Sequence, residues 1–136
     1  MFRRQRNDTS TRLGGLGLTS SECAAVDAVC TIIDVPPGSV LCRQDHFGRQ
    51  LVWILDGVAG VERDGQVLRL IEGGDVVGEG TMVGVHDRCT ADVVALSSLT
   101  IAVLSRGDWL VARDRAPSLV DRLFQVVLER QQPLAA

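Results

Sequence analysis

Between residues 31 and 104 the chain is cut into short apolar runs by glycine, proline and Asp-Gly pairs. This punctuation constrains the fold more than any other feature. Thr31-Ile32-Ile33-Asp34-Val35 is rich in β-branched residues and stops at Pro36-Pro37-Gly38. Residues 39–42 make a second run, and Gln50-Leu51-Val52-Trp53-Ile54-Leu55 a third, closed by Asp56-Gly57. Residues 58–63 and 66–70 flank Asp64-Gly65, a pair suited to the positive φ of a two-residue hairpin turn. Gly73-Gly74-Asp75 turns the chain again, and residues 91–96 and 100–104 form a last pair across Ser97-Ser98-Leu99. Seven or eight strands this short, each ended by a turn, predict an antiparallel barrel or jelly roll. The alternation of strand and helix that a parallel sheet requires is missing.

Helical signals lie only at the two flanks. Thr19 and Glu22 have capping-box spacing, which predicts a short helix to about Val29 with Cys23, Val26 and Cys30 near one face. After the strands, Ser105 and Asp108 mark the start of a helix over residues 106–113. Pro117 suits the first turn of another, running to about Glu129, with Leu119, Leu123, Val126 and Val127 on its apolar side. The expected fold is therefore mainly β: a double-stranded jelly-roll barrel with one short N-terminal helix and two C-terminal helices. Residues 1–18 read as a flexible lead-in and 19–132 as one domain, a size that supports a core without staples.

Composition narrows the function. The chain is 46% hydrophobic and 23% charged, the balance of a globule. All 14 basic residues are arginine, set against 17 acidic ones, for a net charge of -3. Such a surface does not attract DNA or anionic lipid. No helical pair follows Pro133, so direct DNA reading is not expected. No apolar run of about 18 residues is present, and no membrane span is expected. Cys23, Cys30, Cys42 and Cys89 show no CxxC spacing, which argues against a disulfide framework or a zinc site. The reading is a cytoplasmic protein with reduced thiols.

Catalysis is not expected either. His46 and His86 are isolated loop histidines, and no serine stands in a nucleophile motif. A metal site would need them to converge with Glu79, Cys42 or Cys89, which nothing in the spacing demands. The informative stretch is residues 71–94, IEGGDVVGEGTMVGVHDRCTADVV, where Gly73, Gly74, Gly78, Gly80 and Gly84 crowd together. Glycine at this density suits close approach of backbone N–H groups to an anionic ligand. Glu79 offers a carboxylate for sugar hydroxyls, and Arg88 a guanidinium fork for a phosphate. A plain glycine-rich connection between strands would carry the same residues.

Taken in order, these motifs resemble the cyclic-nucleotide-binding domain family over residues 18–130. VPPGSVL, LVWILDGVAGVERDG, LIEGGDVVGE and CTADVVALSSLTIAVLSRGDW each stand where that family has a similar segment. The resemblance implies a jelly roll with a glycine-rich cassette that holds a cyclic nucleotide (cAMP or cGMP). It implies Glu79 on the ribose, and Gly78, Gly80 and Thr81 along the sugar-phosphate. The family's phosphate-binding arginine precedes a small-Ala-Ser/Thr-Val run. Matching TADVV to that run puts Cys89 at the arginine's place, Arg88 one residue earlier and Asp92 where a small hydroxyl is usual. The expected ligand-binding set is Gly78, Glu79, Gly80, Thr81, Arg88, Cys89 and Thr90, with no catalytic or metal residues and no resident cofactor. The expected role is a non-enzymatic sensor acting through a homodimer or a partner protein. The alternative is a degenerate domain that kept the fold, lost the nucleotide and serves as an interaction module.

Overall fold

A computed structural model describes residues 3–5, 18–48, 50–78, 80, 84 and 88–131. Nine strands and three helices are described. The strands are β1 (Arg3–Gln5), β2 (Thr31–Val35), β3 (Val40–Cys42), β4 (Gln50–Asp56), β5 (Val58–Arg63), β6 (Gln66–Glu72), β7 (Val76–Val77), β8 (Asp92–Ala95) and β9 (Leu99–Ser105). The helices are α1 (Ser20–Val29), α2 (Arg106–Arg115) and α3 (Pro117–Gln131). One sheet has the order β1-β2-β9-β4-β7 and the other β3-β8-β5-β6. All pairings between named strands are antiparallel. The jelly roll is thus two facing sheets with open edges.

Two expected details change. Residues 3–5, inside the expected flexible lead-in, form an edge strand that pairs Arg3 with Asp34 and Gln5 with Ile32. A backbone ladder needs no apolar signal, so composition did not announce it. The strand β7 also went unread. It has only two residues, between Asp75 and Gly78, too few to show alternation.

The apolar run of β4 is explained by its place. Leu51 and Trp53 face a core under the helices, while Val52 and Ile54 face the second sheet. Its neighbour β9 divides likewise, with Ala102 and Leu104 toward the helices and Leu99 and Ile101 between the sheets. A strand covered on both faces has no polar side, hence the unbroken sequence. Trp53 and Trp109 both pack in the helix-side core. The Asp64-Gly65 turn forms as expected, with φ of 51° and 80°.

Helix starts follow the sequence signals. Ser105 Oγ accepts the Asp108 N–H at 3.2 Å, and Pro117 opens α3. The α1 capping box is present, and Glu22 does more than cap. One carboxylate oxygen accepts the Thr19 N–H at 3.1 Å, and the other accepts the Ser118 N–H of α3 at 3.0 Å. A single buried carboxylate therefore joins two helix N-termini, where negative charge is favoured. Leu119 and Leu123 seal α3 to the core with no exposed surface, and truncating either to alanine costs about 2–5 kcal/mol.

The N–H of Thr19, then that of Ser118, holds the Glu22 carboxyl below its ordinary range. A carboxylate whose folded pKa is depressed stabilises above its unfolded pKa, and that stability is lost as pH falls through the folded value. Melting temperature should therefore drop as pH falls below the ordinary carboxylate range. Glu22→Gln should melt lower at pH 7 and show a flatter acid limb. An unchanged acid limb in thermal scans would count against this role.

Candidate functional site

Between the edge strands β3 and β7 lies a cavity of about 500 Å³. This is within the usual range for small-molecule sites. Its walls come from Val40, Leu41 and Cys42 of β3, the loop over residues 43–48, Gln50, Val77, Gly78, Arg88 and Cys89. Among the described lining residues, Arg43 and Arg88 bring two positive charges and Asp45 one negative charge. This part of the lining favours an anion.

Backbone contacts join the loop to the end of the glycine-rich stretch. Asp45 N–H donates to the Cys89 carbonyl at 2.9 Å, and Cys89 N–H donates to the His46 carbonyl at 2.8 Å. Phe47 and Arg88 form an isolated antiparallel bridge. Arg88 Nη1 donates to the Asp45 carbonyl at 2.9 Å, and its guanidinium carbon lies 4.6 Å from the centre of the Phe47 ring. The ring itself is 62% exposed. Arg88 is therefore oriented at the cavity wall by a carbonyl and an aromatic face.

Asp92 turns away from the role its sequence position suggested. Its Oδ1 accepts the Gln44 N–H at 2.6 Å, and it is not among the described residues that line the cavity. Gln44 in turn exchanges two hydrogen bonds with Asp64, donating from Nε2 at 3.0 Å and accepting the Asp64 N–H at 3.2 Å. The Asp92 carboxylate thus anchors the start of the loop.

Of the expected ligand residues, Gly78, Arg88 and Cys89 line the cavity. Thr90 is exposed, and its carbonyl accepts Arg63 Nε at 2.8 Å. Gly80 is buried and helical. Glu79, Thr81 and His86 lie outside the described residues. The 43–48 loop, with Arg43, Asp45, His46 and Phe47, was not expected in the site. Its one local signal is Asp45, which takes a φ of 66° and turns the loop. Among the described residues no cluster of His, Cys, Asp or Glu is placed to hold a metal, and no helix is long and apolar enough to cross a membrane.

The expectation of wholly reduced thiols is corrected. Cys42 and Cys89 form a disulfide, with Cα atoms 6.5 Å apart. Spacing did not reveal it because the pairing of β3 with β8 brings the two together across 47 residues. In the chain-entropy picture a cross-link of this span stabilises by about 4 kcal/mol. Cys23 and Cys30 are buried and keep their thiols.

The sequence profile of the cyclic nucleotide-binding domain matches residues 32–115, and the chain belongs to that family. No curated protein matches it. Among solved structures it is similar to a cyclic nucleotide-binding domain from Methylobacillus flagellatus KT, with a TM-score of 0.81 and 19% identity over 95% of this chain and 83% of that one. It is similar to the Thermus thermophilus catabolite activator protein, with a TM-score of 0.73 and 24% identity over 84% of this chain and 55% of that one. The regulatory subunit of a cAMP-independent protein kinase A from Trypanosoma brucei gives 0.75 and 26%, over 94% and 46%. The chain therefore spans about half the length of the last two.

Gly78 ends β7 with a φ of 87°, and a Cβ there would fall on the Gln50 carbonyl oxygen. Gly78→Ala should cost about 1–3 kcal/mol in denaturant unfolding. A cost near zero would show that the backbone relaxes freely at this wall.

Proposed function

We propose that this domain is a non-enzymatic regulatory sensor that takes a cyclic nucleotide in the cavity between β3 and β7. The observation that carries the reading is Arg88, held at the wall of a cavity of about 500 Å³ with Arg43 as a second cation. One Nη of Arg88 is spent on Asp45, which leaves the rest of the fork for a phosphate oxygen. Gly78 keeps the neighbouring wall free of side chain. Glu79 and Thr81 would serve the ribose and phosphate as the family resemblance implies. Output passes to a second copy or a partner protein, in the cytoplasm, without contact to DNA or membrane.

A second reading is favoured by Cys89, which stands at the family's arginine position and is bonded to Cys42. A thiol or disulfide makes no charged fork. The Trypanosoma brucei subunit described as cAMP-independent also has a solved triple variant, one of whose substitutions introduces an arginine, bound to cAMP. By that analogy the domain would be an interaction module that lost the nucleotide.

Calorimetric titration of the nucleotide-stripped protein with cAMP and cGMP separates the two. The sensor reading expects saturable binding that weakens as salt is raised. It also expects a loss of about tenfold or more in a folded Arg88→Ala variant. Absence of heat and of thermal shift up to millimolar nucleotide supports the second reading.

A further inference from the structure

We propose that Cys42 and Cys89 are a thiol–disulfide latch that sets how rigidly the ligand cavity is held. Both cysteines line the cavity, one on the edge strand β3 and the other directly after Arg88. The bond therefore crosses from one wall to the segment that carries Arg88, one of the cavity's two described cations.

Apart from the bond, the contacts that hold residues 88–89 to the loop among the described residues are polar or at the surface. They are two backbone hydrogen bonds, the Phe47–Arg88 bridge, the Arg88 bond to the Asp45 carbonyl and the stacking on Phe47. Arg88 and Phe47 are exposed, so water competes for both. Local opening is easiest where buried apolar contacts are few. The disulfide removes that freedom, and a wall already in its bound geometry binds with less ordering cost.

The other two cysteines make the response selective. Cys23 and Cys30 are buried in the helix-side core. Burial pushes the Cys23 thiol up, away from the reactive thiolate. The chemistry needs a low-molecular-weight thiol as reductant. Two such thiols give up two electrons and two protons, the Cys42–Cys89 bond breaks to two cysteine thiols, and the reductant leaves as its own disulfide. In a cytoplasmic setting a disulfide of this kind is a reporter of oxidation rather than a permanent staple.

The inference that the latch controls affinity rests on the cavity being the nucleotide site, and the test keeps the two claims apart. The full chain is prepared oxidised with glutathione disulfide and reduced with dithiothreitol. Native trapping with N-ethylmaleimide should add nothing to the oxidised form and two labels to the reduced form, with the two core cysteines protected in both. Backbone amide exchange over residues 43–48 and 88–92 should be faster in the reduced form. Titration with cAMP should show affinity about tenfold weaker after reduction, within the usual range of coupling between states. The Cys42→Ser, Cys89→Ser double variant should stay at the reduced affinity under either treatment. Should that variant fail to fold, the two states of the natural chain still decide. Equal labelling of the oxidised and reduced forms overturns the latch. So does equal exchange in the two states, or affinity that is equal or tighter after reduction. If neither form binds nucleotide, the nucleotide reading fails by itself, and the exchange difference alone supports or overturns the latch.

Discussion

The pairing of β4 with β9 is the constraint on which the rest depends. Their ladder runs from Gln50 opposite Ser105 to Asp56 opposite Thr100 and forms the middle of the larger sheet. Because both strands are apolar on both faces, they create two cores at once. The outer one draws α1, α2 and α3 onto the sheet, and the inner one holds the second sheet. Burial on this scale fixes register, since a shift of one residue would exchange the two faces of β4 and drive Trp53 between the sheets. Everything at the cavity hangs from this frame. Gln50 begins β4, and β7 with Gly78 pairs along β4 at Val52 and Trp53.

The cavity itself is built from contacts of a different kind. Polar and covalent links hold the 43–48 loop to the cassette end: the Asp92 carboxylate on Gln44, the Phe47–Arg88 bridge, the Cys42–Cys89 bond. Such a region can change without disturbing the hydrophobic frame beneath it. That separation fits a sensor, which needs a rigid scaffold and a responsive site. The helices stand on the opposite face of the larger sheet, and the Glu22 carboxylate couples α1 to α3 there. A ligand could influence them only through differential affinity for two helix arrangements.

Much of the frame was legible residue by residue. The Asp64-Gly65 turn, the Thr19–Glu22 box, Ser105 and Pro117 all rest on local conformational preference, which a linear chain displays openly. The site was less legible. Arg88 and Gly78 were readable as a cation and a glycine with a task, and both line the cavity. Asp92 stood where the family resemblance has a small hydroxyl, yet it is an anchor for Gln44, because the pairing of β8 with β3 sets it beside the start of the 43–48 loop. Arg43 and Phe47 carried no local signal. Phe47 meets the cassette end through a bridge to Arg88, more than forty positions away.

The sequence alone determined the architecture: short strands with turn residues at their ends, a helix before them and two after. Period and punctuation are local properties, and backbone sterics act within a few residues. Only the tertiary structure decided that Glu22 serves two helices, that Asp92 faces away from the cavity and that Cys42 meets Cys89. Each of those depends on which strands become neighbours. That choice is made by burying two apolar faces at once, and no short stretch of chain contains the information.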